Sequence, residues 1–123
     1  MKDSETFWIL FVLLERCYFS TRTVETDGLG GLLGALSPEL WAHGLPTDKA
    51  MLDDWGALPD TGSPAQAAML HRIGLFIDHY ADGFSFSAKA VRRWLADLTP
   101  GQYDDARREA AQRRAVWQDR RRK

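Results

Sequence analysis

The sequence predicts an all-α protein: a single-domain bundle of about five to six helices around a central apolar helix at residues 6–18. Three observations predict it. Phe7 through Leu14 is eight consecutive apolar residues, the only such run in the chain, so a helix there has no polar face and needs cover on all sides. Further along, apolar residues recur at helical spacing, as in Met69, Ile73, Phe76, Ile77 and Tyr80. Between the apolar stretches stand Ser37-Pro38, Ser63-Pro64 and Thr99-Pro100, each pairing an N-cap residue with proline at the first helical position. At 123 residues, 45% hydrophobic and 27% charged, the chain has the size and composition of one globular domain with its own core, and wholesale disorder is excluded.

The elements follow in order. Ser4 is a plausible N-cap for a first helix running to about Phe19. A buried strand competes for the same residues, but the pattern runs past ten residues and no partner strand follows. Residues 20–27 are polar and read as a loop. Asp27 can cap a second, glycine-rich helix, Leu29 to Leu36, where Gly28, Gly30, Gly31 and Gly34 each lower intrinsic stability by up to about 1 kcal/mol relative to Ala. Such a helix persists only by packing, and its small residues permit close approach to the first helix. Ser37-Pro38-Glu39 restarts a turn of helix holding Leu40 and Trp41. Thr47 then caps a third helix, Asp48 to about Ala57, with Met51, Leu52 and Trp55 on one edge. After the loop 58–63, Ser63-Pro64 opens a helix with the stripe Met69 to Tyr80, ended by Asp82-Gly83. Ser87 caps the next, whose stripe is Val91, Trp94, Leu95 and Leu98. Thr99 and Gln102 have the spacing of a capping box at the head of a last helix reaching roughly Arg120. With only Tyr103, Val116 and Trp117 as large apolar groups, that helix is expected to pack loosely or project. A weak echo at an offset of 62, for example Tyr18 with Tyr80 and Leu33-Leu36-Pro38 with Leu95-Leu98-Pro100, suggests two related halves.

Charge is unevenly spread. Residues 1–102 carry 8 Lys/Arg against 13 Asp/Glu, and residues 103–123 carry 8 against 4, within a formal net charge of -1. An acidic body with a basic C-terminal helix or tail at about 100–123 is a statement about partners. Cys17 is the single cysteine, which fits a reducing compartment, and in an apolar helix it is expected to be a small buried hydrophobe. The apolar run is far short of the roughly 20 residues that span a bilayer, and Asp3 and Glu5 stand where a signal peptide needs positive charge. A cytoplasmic protein is expected, with no membrane contact.

The sequence offers no catalytic set. His71 and His79 are eight apart and do not share a helical turn as metal ligands do, so neither a metal nor another cofactor is expected. The glycines of 28–34 lack the Lys-Ser/Thr of a phosphate-binding loop, and no serine sits in a nucleophile elbow. Enzyme activity is not expected. In the arginine-rich tail, Asp104, Asp105, Glu109 and Asp119 interleave at spacings suited to ion pairs along a solvated helix, which weighs against nucleic acid as partner. The acidic middle is more informative. Glu25, Asp27, Glu39, Asp48, Asp53 and Asp54 fall within thirty residues, with Trp41 and Trp55 among them. Carboxylates that steer a basic partner, with an aromatic anchor to bury, suit an inhibitor of a basic enzyme. The residues alone favour a plainer reading, a solvated acidic face with tryptophan in the core.

The stretch Asp27-Gly-Leu-Gly-Gly-Leu-Leu-Gly-Ala-Leu36, with His43-Gly44-Leu45-Pro46-Thr47-Asp48 and Asp53-Asp54-Trp55 after it, resembles the small immunity proteins of bacterial contact-dependent growth inhibition and related polymorphic toxin systems. The likeness covers about residues 5–56, and His43 replaces the acid usual in that pattern. The resemblance implies a cytoplasmic protein that binds a cognate toxin domain, often a nuclease, one-to-one and blocks its active site. Glu25, Asp27, Asp48, Asp53, Asp54 and Trp55 are the expected contact residues. A nucleic-acid-associated regulator using the C-terminal helix, or a non-catalytic adaptor, is the alternative.

Overall fold

The computed structural model describes residues 3–38, 49–59 and 65–122. Among the described residues there are six helices and no strand: α1 (Asp3–Thr21), α2 (Leu29–Leu36), α3 (Lys49–Ala57), α4 (Gln66–Phe84), α5 (Ala88–Ala96) and α6 (Pro100–Arg122). None of these helices is long and apolar enough to cross a membrane. The expected restart at 37–41 and the Thr47 cap fall on or run into residues 39–48, and the Ser63-Pro64 cap on 60–64, outside the described residues.

The helix α1 is the centre of the bundle. Every residue from Phe7 to Leu14 is 3% exposed or less. Eight successive positions point to all sides of a helix, so burial of all eight requires neighbours all round. These are α2, α3, α5 and α6, with α4 reaching α1 through Arg72, which donates to Thr6 and Asp3. Each large side chain so buried stabilises the fold by about 1.5–3 kcal/mol. The helix starts at Asp3, so Ser4 lies inside it, and it runs two residues past Phe19. It stops at Arg22, which takes a left-handed φ of 47° and donates its main-chain N–H to the Tyr18 carbonyl.

The polar segment that follows is an ordered turn. Thr26 is fully buried, its hydroxyl 2.7 Å from that of Thr21 and 3.2 Å from that of Thr23. Gly28, not Asp27, is the N-cap of α2, with no side-chain cap bond; Asp27 instead accepts from Gly30 N–H through its main-chain oxygen. Close packing explains two of the glycines. A Cβ on Gly28 would lie 2.0 Å from the Phe84 carbonyl oxygen, and one on Gly30 would lie 3.0 Å from the Tyr18 ring.

On α4 the stripe Met69, Ile73, Phe76 and Ile77 is buried and Tyr80 partly so. The helix passes Asp82-Gly83 and ends at Phe84, because Ser85 takes the left-handed cap conformation at φ 60°. Ser87 caps α5 by accepting from Ala90 N–H at 3.1 Å. The capping box at α6 is formed in both directions: Thr99 N–H donates to Gln102 Oε1 at 2.9 Å, and Gln102 N–H donates to Thr99 Oγ1 at 3.1 Å. The described helices α1 and α4 both span 19 residues, and the short α2 and α5 follow them, which echoes the halves suggested by the sequence.

The expectation that the last helix packs loosely or projects is overturned. Tyr103, Ala106 and Ala110 are buried in the most extensive helix–helix contact of the fold, that of α6 with α1. Trp117 reaches Trp8 with ring centroids 6.5 Å apart. Alanines at the contact let the two axes approach, so a helix poor in large apolar groups still buries a face. Four charges rivet the same seam. Arg16 donates to Glu109 at 2.8 Å, and Arg113 donates to Glu15 at 2.7 Å and to Glu109 at 2.9 Å.

Candidate partner-binding surface

The helix α3 is held from below by a polar node within the core. Trp55 is fully buried. Its indole N–H donates to Thr6 Oγ1 at 2.9 Å, and its ring meets Phe76 edge-on at 5.8 Å. Arg72, 2% exposed, lies with its guanidinium 4.0 Å from the Trp55 ring centre. It donates to the Trp55 main-chain oxygen at 2.7 Å and to Asp3 at 3.0 Å. The contact role expected of Trp55 is therefore corrected: the indole is a core group, committed to Thr6 and Arg72 and closed to any partner. The spacing of α4 places Arg72 three residues after Met69, on the inward face, but a reading that follows only apolar residues passes over it.

With Trp55 turned inward, its neighbours turn outward. Asp53 is exposed and has no ion-pair or hydrogen-bond partner among the described residues. Asp54 is partly exposed and held in place: the Tyr80 hydroxyl donates to its Oδ2 at 2.6 Å, and His79 Nε2 stands 3.5 Å from the same oxygen. Glu25 and Asp27 are both exposed in the α1–α2 turn. That turn rests on the far end of α4: Ser87 N–H donates to the Glu25 carbonyl at 2.7 Å, and Gly28 abuts the carbonyls of Phe84 and Ser85. The two segments that carry the acidic pairs are thus tied to the same end of α4, α3 through Tyr80 and the α1–α2 turn at Phe84, one helical turn or about 6 Å of axis further on. A helix C-terminus is the negative end of its dipole, so these carboxylates add to that field. Arg22, the cation of the turn, faces the rings of Phe19 and Tyr18 at 5.1 and 5.8 Å. Asp48, like Trp41 and His43, lies outside the described residues.

No family model, curated protein or solved structure matches the chain. The likeness of residues 5–56 to immunity proteins thus stands on sequence motifs alone. Of those motifs, Asp27 to Leu36 forms the end of the first turn and α2, and Asp53-Asp54-Trp55 forms the exposed edge and buried root of α3.

Other candidate groups have structural roles. Burial pushes the Cys17 thiol up to about 11, which leaves almost no thiolate near neutral pH. Burial likewise raises Tyr103 to about 12, with Arg107 lowering it and Asp104 raising it. His71 and His79 are exposed, and among the described residues no group of three His, Cys, Asp or Glu side chains is placed to hold a metal ion. On α6, Arg107 and Arg108 pair with Asp104 and Asp105 one turn earlier, the expected pattern of a solvated helical face. The partners of Arg113 and Arg16 across the α1–α6 seam were not legible, because they depend on which helix lies beside which.

Proposed function

We propose that this chain is an immunity protein: a non-catalytic, cytoplasmic inhibitor that binds the basic active-site face of a cognate toxin domain, with the acidic end of α4 as its contact surface. One observation carries the reading. The two segments that carry Glu25 with Asp27 and Asp53 with Asp54 are both tied to the C-terminal end of α4, and no Lys or Arg among the described residues pairs with these carboxylates. An excess of like charge on one surface costs stability in the free protein, and a basic partner would relieve that cost. Asp54 is already oriented by Tyr80, and Arg72 anchors α3 beneath it, so little side-chain freedom is lost on binding. The arginines of α6 favour nucleic acid less, since Arg108 and Arg113 are engaged with carboxylates of the chain itself.

The test is co-expression with the product of the adjacent reading frame, followed by affinity purification and native mass spectrometry. A stable one-to-one complex with a protein that kills cells when expressed alone supports the proposal. A harmless neighbour and a chain that purifies alone overturn it. Deleting residues 103–123 is not a clean way to separate this reading from a nucleic-acid regulator, because Tyr103, Ala106 and Ala110 cover α1. Arg114→Gln with Arg120→Gln removes basic charge without stripping the core and is the better contrast.

A further inference from the structure

Away from the acidic surface, the seam between α1 and α6 opens on one flank into a cleft of about 330 Å³, at the lower end of the roughly 300–1,000 Å³ typical of small-molecule sites. Its floor is apolar, made by Ile9, Ala110 and Ala111. Its α6 wall carries Arg107 and Arg114, which with Ala111 form one row at i, i+4 and i+7 along the helix. Alanine between two arginines leaves a notch with a guanidinium on each side. Arg114 is half-buried and has no ion-pair partner among the described residues. Among the described residues Arg107 has only Asp104, at 4.0 Å, the outer limit of an ion pair. Arg108, also at the rim, is already paired with Asp105. The facing wall of α1 carries Glu5, likewise without a cation.

The geometry points to a binding site for a small anionic amphiphile: an oxyanion head, phosphate or carboxylate, on a short aliphatic tail. Arginine forks suit both kinds of head. An anion between Arg107 and Arg114 relieves the repulsion of two cations on one face, while Glu5 repels it from the α1 wall and so fixes its side of the cleft. The tail lies on Ile9 and the two alanines. Among the described residues no aromatic side chain lines the cleft, so a nucleotide base finds no ring there to stack on, and the aliphatic tail is the better fit. This inference is independent of the immunity reading.

The test titrates the full chain with octyl phosphate below its micelle-forming concentration, with inorganic phosphate and octanoate alongside, by calorimetry at low salt. Saturable one-to-one binding of octyl phosphate is expected, weakened by added salt, with inorganic phosphate at least about tenfold weaker because it buries no alkyl surface. Octanoate distinguishes a general oxyanion site, which takes both heads, from a phosphate-selective one. Arg114→Gln is expected to weaken binding by about tenfold, and Ala111→Leu to abolish it by filling the notch, with an unchanged thermal melt because Ala111 is exposed. Glu5→Gln is expected to tighten binding, a sign that an unspecific basic patch would not give. Absence of saturable binding overturns the site, as does affinity indifferent to both Arg114→Gln and Ala111→Leu. Equal affinity for inorganic phosphate overturns the tail.

Discussion

The Arg72 guanidinium lies over the indole of Trp55, 4.0 Å from the ring centre, and donates from Nη2 to the main-chain oxygen of the same residue at 2.7 Å. One side chain of α4 thereby grips both the ring and the backbone of α3. The same guanidinium reaches Asp3 and Thr6 of α1, so three helices meet on it. Its charge is buried, and cation–aromatic contact is strongest where water is excluded. What the node fixes is the pose of α3, and with it the outward direction of Asp53 and Asp54.

Arg72→Ala should therefore cost about 2–4 kcal/mol, from the cavity and from the charge-assisted hydrogen bond lost at the Trp55 carbonyl, which keeps only the bond from Leu58 N–H. Asp3→Asn should cost less than about 1 kcal/mol, because that carboxylate is half-exposed and its pairing is screened. Denaturant unfolding of both variants, followed by tryptophan fluorescence, checks this. Equal losses would show that the ion pair with Asp3, rather than the grip on Trp55, holds the node.

Sequence patterning reached the central helix because eight apolar residues leave a helix no solvent face. It reached the caps at Ser87 and Thr99 because those bonds are local, closing within three residues. It missed α6 as a core helix because alanine carries little hydrophobic signal, although Ala106 and Ala110 are buried. It left Trp55 open between anchor and core, since one apolar edge on a short helix fits both. The docking of both acidic segments, the turn at 25–28 and Asp54 of α3, on one end of α4 was beyond it altogether. That depends on the Asp54–Tyr80 and Glu25–Ser87 hydrogen bonds, which join residues 26 and 62 positions apart.

The glycines of the second helix divide by what surrounds them. Gly28→Ala sets a methyl against the carbonyl of Phe84 at the end of α4, and main chain cannot step aside as a side chain can. A loss of roughly 1–3 kcal/mol is expected, as for overpacking elsewhere. Gly34 is exposed within α2 and a Cβ there meets nothing within 4 Å. Gly34→Ala should stabilise by up to about 1 kcal/mol through helix propensity. Thermal melts of the two variants should move in opposite directions; a drop for both would contradict the open space at Gly34.

The seam between α1 and α6 should be acid-sensitive. Burial disfavours the Glu109 charge, but hydrogen bonds from Arg16 and Arg113 outweigh it and hold the carboxyl below its usual value. A folded-state pKa below the unfolded value of about 4.3 contributes stability fully present above that value and lost as pH falls through the folded one. Stability measured from pH 6 downward, a range chosen to bracket about 4.3, should fall more steeply in the native chain than in Glu109→Gln. The variant should lose up to about 1 kcal/mol at neutral pH, the scale of a partly exposed ion pair. Parallel acid limbs would remove Glu109 from the account.

The acidic end of α4 makes a sharper demand on the proposed complex. Asp53 has no partner within the described fold, so Asp53→Lys should change the melt of the free chain by no more than about 0.5 kcal/mol. Asp54→Lys should destabilise it measurably, because the 2.6 Å hydrogen bond from the Tyr80 hydroxyl is lost. Against a basic toxin domain both reversals should slow association, most at low salt. The difference should shrink as salt rises past about 0.1 M, where the screening length falls to about 10 Å. Stopped-flow association across a salt series separates steering from folding, since Asp53→Lys alters charge without altering stability. A complex that forms as fast with Asp53→Lys as with the native chain would move the contact surface off α3, while leaving open that the chain binds a toxin by another face.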